Sequence, residues 1–184
     1  KLRVHACGGP GTSRRPGTQA QARGAIDTEV LPFHVQAGVA VNVTMRPTLL
    51  ARTARVPTCD PYGMSANIDP VAKAAGFDPA AYKYIHYSIP QRTCGYAGIA
   101  ELGSLNPLYT QRSWSNGSAV MWVMGHEFGH TLGLLHAGTI NCADVTQCPW
   151  SEYGNAQDLM GTGRTCDATN LSACQLNAAA KSLL

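Results

Sequence analysis

Eleven consecutive residues, His126-Glu127-Phe128-Gly129-His130-Thr131-Leu132-Gly133-Leu134-Leu135-His136, combine three imidazoles and a carboxylate at spacings suited to one metal ion. A residue advances about 100° around a helix, so His126 and His130 project from one face a turn apart, within reach of the same ion. Glu127 is rotated away from that ion but remains able to touch a water held on it, which places it as a general base. Gly133 tolerates a left-handed conformation, so the helix can end there and the chain can turn to bring His136 back. Three neutral imidazoles with an open fourth position imply a single catalytic Zn2+ rather than a closed structural site. Zinc lowers the pKa of water to about 7 and polarises a carbonyl, and Glu127 would take the water's proton and hand it to a leaving amine. His5, His34 and His86 stand alone in expected strands or helices and read as ordinary packed or surface residues.

The elements that must position these residues follow from hydrophobic spacing. Leu2, Val4 and Ala6 alternate with polar neighbours and predict a strand ending at Gly8-Gly9-Pro10-Gly11. Apolar residues at helical spacing predict a helix over about 18–36, and Val39, Val41, Val43 and Met45 a second strand. Strand, helix, strand opens an α/β sheet. Residues 59–63 read as loop, 68–75 as a helix, 82–89 as a third strand ended by Pro90, and 96–102 as a fourth strand whose small residues suit an edge. The stretch 118–135 is apolar nearly all round, as a buried central helix should be. Beyond His136 the chain reads as cysteine-bearing loops until an amphipathic helix over 171–184. With no internal repeat or linker in 184 residues, one domain is expected.

Composition narrows the setting. Charged residues are only 14% of the chain and the net charge is +3 with the basic residues scattered, which excludes a nucleic-acid partner. No apolar run spans a bilayer, so a membrane partner is not expected and a monomer is. Seven cysteines without a CxxC pair imply a disulfide framework in an oxidising compartment. Local pairing joins Cys142 to Cys148 and Cys166 to Cys174, with Cys59 to Cys94 as a longer tie, and leaves Cys7 over. The sequons at Asn42, Asn116 and Asn170 are compatible with secretion. The first residues show no signal peptide, so a secreted form would have had a signal, and a possible pro-segment, before Lys1.

The run His126 to His136 matches the HExxHxxGxxH signature of the metzincin metalloproteases, and Met160, 24 residues beyond His136 in Asp158-Leu159-Met160-Gly161, resembles their Met-turn, an apolar floor beneath the metal. Cys94-Gly95-Tyr96-Ala97-Gly98-Ile99-Ala100, Ser113-Trp114-Ser115-Asn116-Gly117, His136-Ala137 and Glu152-Tyr153-Gly154 resemble the gametolysin-like group, so the likeness covers most of the chain. The resemblance implies an α/β (α+β) metzincin-like fold. An upper subdomain of about 1–136 would hold a twisted mixed sheet and two helices. An irregular lower subdomain of about 137–184 would end in a helix, with the active-site cleft between. It also implies an extended substrate along the edge strand, paired with the backbone of Gly98, Ile99 and Ala100; alternatively these small residues only ease sheet twist. Some metzincins carry a tyrosine two residues after the Met-turn methionine, where this chain has Thr162; Tyr153 reads either as a residue near the site or as a structural tyrosine in a cysteine-bearing loop. Cys7-Gly8-Gly9-Pro10 is similar to an inhibitory cysteine switch, but a buried thiol or a bridge to an absent segment also fits.

Two functions fit these residues. One is a secreted zinc endopeptidase that cuts internal bonds of extracellular proteins. The other is a silent zinc-bearing binding or adhesion module of the same fold. Glu127 favours the enzyme, because a silent module has no need of a base beside the metal.

Overall fold

The computed structural model describes residues 2–6, 43–45, 59–89, 93–103, 106, 108–117, 121–144, 146–162 and 176–184. The elements are β1 (Leu2–Ala6), β2 (Val43–Met45), α1 (Pro61–Ala74), a 3-10 turn (Pro79–Ala81), β3 (Tyr84–Ile89), β4 (Gly98–Ala100), β5 (Gln111–Asn116), α2 (Met121–Thr131), β6 (Thr139–Ile140), β7 (Trp150–Ser151) and α3 (Ala178–Leu183). The helix expected over 18–36, the start of the second strand, Pro90, the Cys166–Cys174 bridge, Cys7 and the sequons at Asn42 and Asn170 lie outside the described residues.

A five-stranded sheet of order β2-β1-β3-β5-β4 organises the chain. β1 runs parallel to β2 and β3, and β3 parallel to β5, whereas β4 pairs antiparallel with β5 and forms an edge. The fold is therefore mixed α/β with a mixed sheet. Alternation along the strands separates its two faces. On one, Ile85, Tyr87, Ile89 and Trp114 join Met64 and Ile68 of α1 in a buried cluster, with the Tyr87 and Trp114 rings stacked at 5.6 Å. On the other, Tyr84 meets Phe128 of α2 edge to face at 5.2 Å.

Three sequence expectations need correction. Residues 59–63 are not all loop: α1 begins at Pro61, because the Asp60 carboxylate accepts the Tyr62 N–H at 3.0 Å as an N-cap and Pro at the first position needs no N–H partner. β5 was not foreseen at all. Gln111, Ser113 and Ser115 on one face and Asn116 on the other are polar yet buried, so no hydrophobic alternation marks the strand. Asn116, the middle sequon, is buried and donates its side-chain amide to the Tyr96 carbonyl at 3.0 Å, so in the folded chain it does not present a glycan acceptor. The terminal helix is described from Ala178, capped by Asn177, whose side chain accepts from the Ala180 N–H at 2.8 Å.

His86 is packed as expected, on the α2 face of the sheet between two serines of β5: Nδ1 lies 2.9 Å from the Ser113 hydroxyl and Nε2 3.0 Å from that of Ser115. Burial pushes its pKa down to about 3. The unfolded imidazole binds a proton near 6.5, so between pH 6.5 and 3 the unfolded chain holds a proton that the folded chain refuses. The stability this site confers is complete above that window and is lost on acidification, by up to about 1.4 kcal/mol per pH unit. In urea titrations with chelator present, His86→Gln flattens the slope of stability against pH between 4 and 6 by about one proton.

Two disulfides tie the described chain. Cys59–Cys94 joins the start of α1 to the segment entering β4, and Cys142–Cys148 closes the loop between β6 and β7, both as the sequence predicts. Among the described residues no helix is long and apolar enough to cross a membrane.

Candidate metal centre

α2 packs against β5 and β4 and carries His126, Glu127 and His130. It ends where the spacing predicts. Gly133 has φ of 94°, its N–H donates to the His130 carbonyl at 2.8 Å, and the Leu134 N–H donates to the Gly129 carbonyl at 3.0 Å. That pair of bonds is a Schellman closure, which satisfies the last carbonyls while reversing the chain. The reversal carries His136 back to the helix. Its Nε2 lies 3.1 Å from that of His130, which is 3.2 Å from that of His126.

Each imidazole is held at its other nitrogen. Nδ1 of His126 donates to the Leu159 carbonyl at 2.8 Å, Nδ1 of His130 to the Leu134 carbonyl at 2.8 Å, and Nδ1 of His136 to the Glu152 carboxylate at 2.6 Å. Carbonyl and carboxylate oxygens only accept, so all three rings carry their hydrogen on Nδ1 and turn bare Nε2 lone pairs toward one point. In the neutral rings three lone pairs converge where one cation can share them. The donor set therefore fits a zinc ion, with the outer-shell bonds such a site uses to fix ring orientation. Burial, opposed by the bond to Leu159, and the two neighbouring rings lower His126 to about 4, and burial likewise lowers His130. Both are held neutral, as ligands must be.

Glu127 is only 7% exposed, and burial pushes its carboxyl up to about 8. A cation among the imidazoles acts in the opposite direction. The edge strand is the wall beside it: a Cβ added at Gly98 would stand 2.6 Å from both Cγ and Oε1 of Glu127. The end of that strand is tied to the same helix through the Gly103 N–H, which donates to the His130 carbonyl at 2.7 Å. Gly98, Ile99 and Ala100 are thus brought to the site, with Ile99 half-exposed at 36% on the sheet edge.

Met160 lies beneath α2, its sulfur so close to Gly129 that a side chain there would collide with it. The turn is pinned on both sides. The Asp158 carboxylate accepts the Met160 N–H and the Asn177 N–H, each at 2.8 Å, and the Met160 carbonyl accepts the Ala137 N–H at 2.8 Å. Leu134, Ala137, Leu159, Met160 and Leu176 form one buried cluster against which Ala180 and Leu184 pack. Removing the C-terminal helix would uncover the floor under the histidines.

Glu152 has a place in the geometry that sequence reasoning did not assign, since it accepts from His136. Of the two readings of Tyr153 the structure bears out the one near the site, with its ring 4.0 Å from that of His136 and 6.1 Å from that of His126. Both stand in Glu152-Tyr153-Gly154, visible in the sequence only as a group resemblance. The Thr162 hydroxyl, in the position two after Met160, is buried and makes no hydrogen bond among the described residues.

No curated protein matches the chain significantly. The family model of the gametolysin peptidase M11, a zinc metalloprotease family, matches residues 20–180, which include every residue of the metal centre. The chain belongs to the gametolysin peptidase M11 family.

Proposed function

We propose that the protein is a secreted zinc endopeptidase in which His126, His130 and His136 hold one zinc ion and Glu127 is the general base. The observation that carries this reading is the convergence of three Nε2 atoms, each freed by an Nδ1 bond, next to a buried carboxylate. When bound, zinc supplies a Lewis acid that polarises the scissile carbonyl and acidifies water. Glu127 takes the proton of the attacking water and returns it to the departing amine. Met160 packs as an apolar floor, where a thioether contributes volume and polarisability rather than a reacting group.

An extended substrate lies along β4 as an added strand, because among the described residues that strand is the last of the sheet and its Gly98 stands against Glu127. The substrate is a protein segment that is already unfolded or exposed, since only an extended backbone satisfies a strand edge. The cleft runs between an upper subdomain of about 1–136, which holds the sheet and α2, and a lower one of about 137–184, which supplies His136 and Met160, in a single monomeric domain. The two disulfides and the low charge content support an extracellular setting.

The test is cleavage of casein by the purified chain before chelation, after it, and after zinc is returned; activity that survives complete removal of the metal contradicts the proposal. The wall beside Glu127 gives a second prediction. Gly98→Val drives a side chain into the space of the Glu127 carboxylate, so kcat falls by roughly 10–100-fold, as for a misplaced base, while zinc content stays at one per chain.

A further inference from the structure

The three histidines differ in what holds them. His126 and His130 donate to main-chain carbonyls, of Leu159 and Leu134, which no substitution removes. His136 alone donates to a side chain, the carboxylate of Glu152, whose side chain is 62% exposed. His136 is also the one ligand outside α2, so it lacks the helix that fixes the other two.

The segment bearing Glu152 is anchored at both ends against the chain that follows His136. Ser151 of β7 pairs with Thr139 of β6, and Ile140 with Trp150, while Cys142–Cys148 closes the loop between them. On the far side the Asn155 N–H donates to the Ala137 carbonyl at 3.1 Å, and the Gly154 N–H to the Ser151 carbonyl at 3.1 Å. With residue 151 fixed to 139 and residue 155 to 137, residues 152–154 must arch over 136–138. Glu152 then meets the edge of the His136 ring, and the Tyr153 ring covers its face with centroids 4.0 Å apart.

Resting on the zinc reading above, we infer that Glu152 is a positioning residue for the third ligand: the disulfide-closed hairpin presents its carboxylate to Nδ1 of His136, fixing the tautomer and aiming Nε2 at the metal. A charged acceptor at Nδ1 also favours positive charge at Nε2, so the ring holds a cation more strongly than one held by a neutral carbonyl. A single exposed pair of this kind contributes little to folding by itself, which separates this role from a structural one.

The experiment is a zinc dissociation constant, from competition with a chromophoric chelator, on the full chain and on its Glu152→Ala and Glu152→Gln variants, with metal-free melting temperatures and Co(II) absorption spectra alongside. Glu152→Ala weakens zinc binding by roughly 10–100-fold, shifts the Co(II) bands, and leaves the metal-free melting temperature unchanged. Glu152→Gln, whose amide oxygen still accepts the bond without the charge, falls between. Zinc affinity in Glu152→Ala within two-fold of the native chain overturns the inference, and so does a loss of affinity accompanied by a lower metal-free melting temperature, which assigns Glu152 to the hairpin instead. A native chain that takes up no zinc overturns the functional reading and this inference together.

Discussion

Glu127→Gln abolishes most peptide cleavage while leaving the metal in place. The amide has the shape of the carboxylate, and Glu127 is one helix position from the imidazoles' face, so neither the fold nor the three Nε2 atoms are disturbed. What is lost is the group that accepts and returns a proton. General acid–base catalysis contributes roughly 10²–10⁴-fold, and the expected fall in kcat is of that size, with KM little changed because substrate pairing along β4 does not use the carboxylate. Steady-state kinetics on an internally quenched peptide, with zinc content determined on the same preparations, checks both halves. A variant that retains one zinc and more than about a tenth of the native kcat removes Glu127 from the mechanism.

His130→Ala removes the metal and with it both activity and a measurable share of stability. His130 is the middle member of the cluster, its Nε2 within 3.2 Å of one neighbour and 3.1 Å of the other, so two imidazoles without it form an incomplete set. At free zinc about 1,000 times the dissociation constant, binding stabilises the native chain by about 4 kcal/mol, which for a domain of this size raises the melting temperature by roughly 8–16 °C. The native chain therefore melts higher with zinc than with chelator, and His130→Ala melts at one temperature in both. Differential scanning calorimetry reads the difference. An equal zinc-dependent shift in the variant would mean that the stabilising ion sits elsewhere.

The clustering of the three histidines was legible because helix geometry and a glycine stop dictate it. A four-residue spacing puts His126 and His130 on one face, and Gly133 marks the reversal that its φ of 94° and the Schellman bonds carry out. The edge character of β4 was legible for a similar reason, since Gly98 and Ala100 are too small for a sheet centre. The fold was less legible where the core is polar. β5 sits between β3 and β4, yet its buried serines answer to His86 rather than to apolar neighbours, and a hydrophobic period has nothing to register there. The start of α1 was hidden by Pro61 and Gly63, residues that resemble loop signals until Asp60 is recognised as the cap. Glu152 was illegible in another way. Its approach to His136 depends on how β6 and β7 pair and on the Asn155–Ala137 bond, long-range closures that no local pattern encodes.

The most direct test of the central claim is to incubate the purified chain, carrying one zinc, with casein and identify the product termini by mass spectrometry. The account predicts new amino termini at internal positions, none of them in the presence of a zinc chelator. A chain that holds one zinc and leaves casein intact, with Cys7 blocked as well as free, would contradict it and make a zinc-bearing binding module the better description.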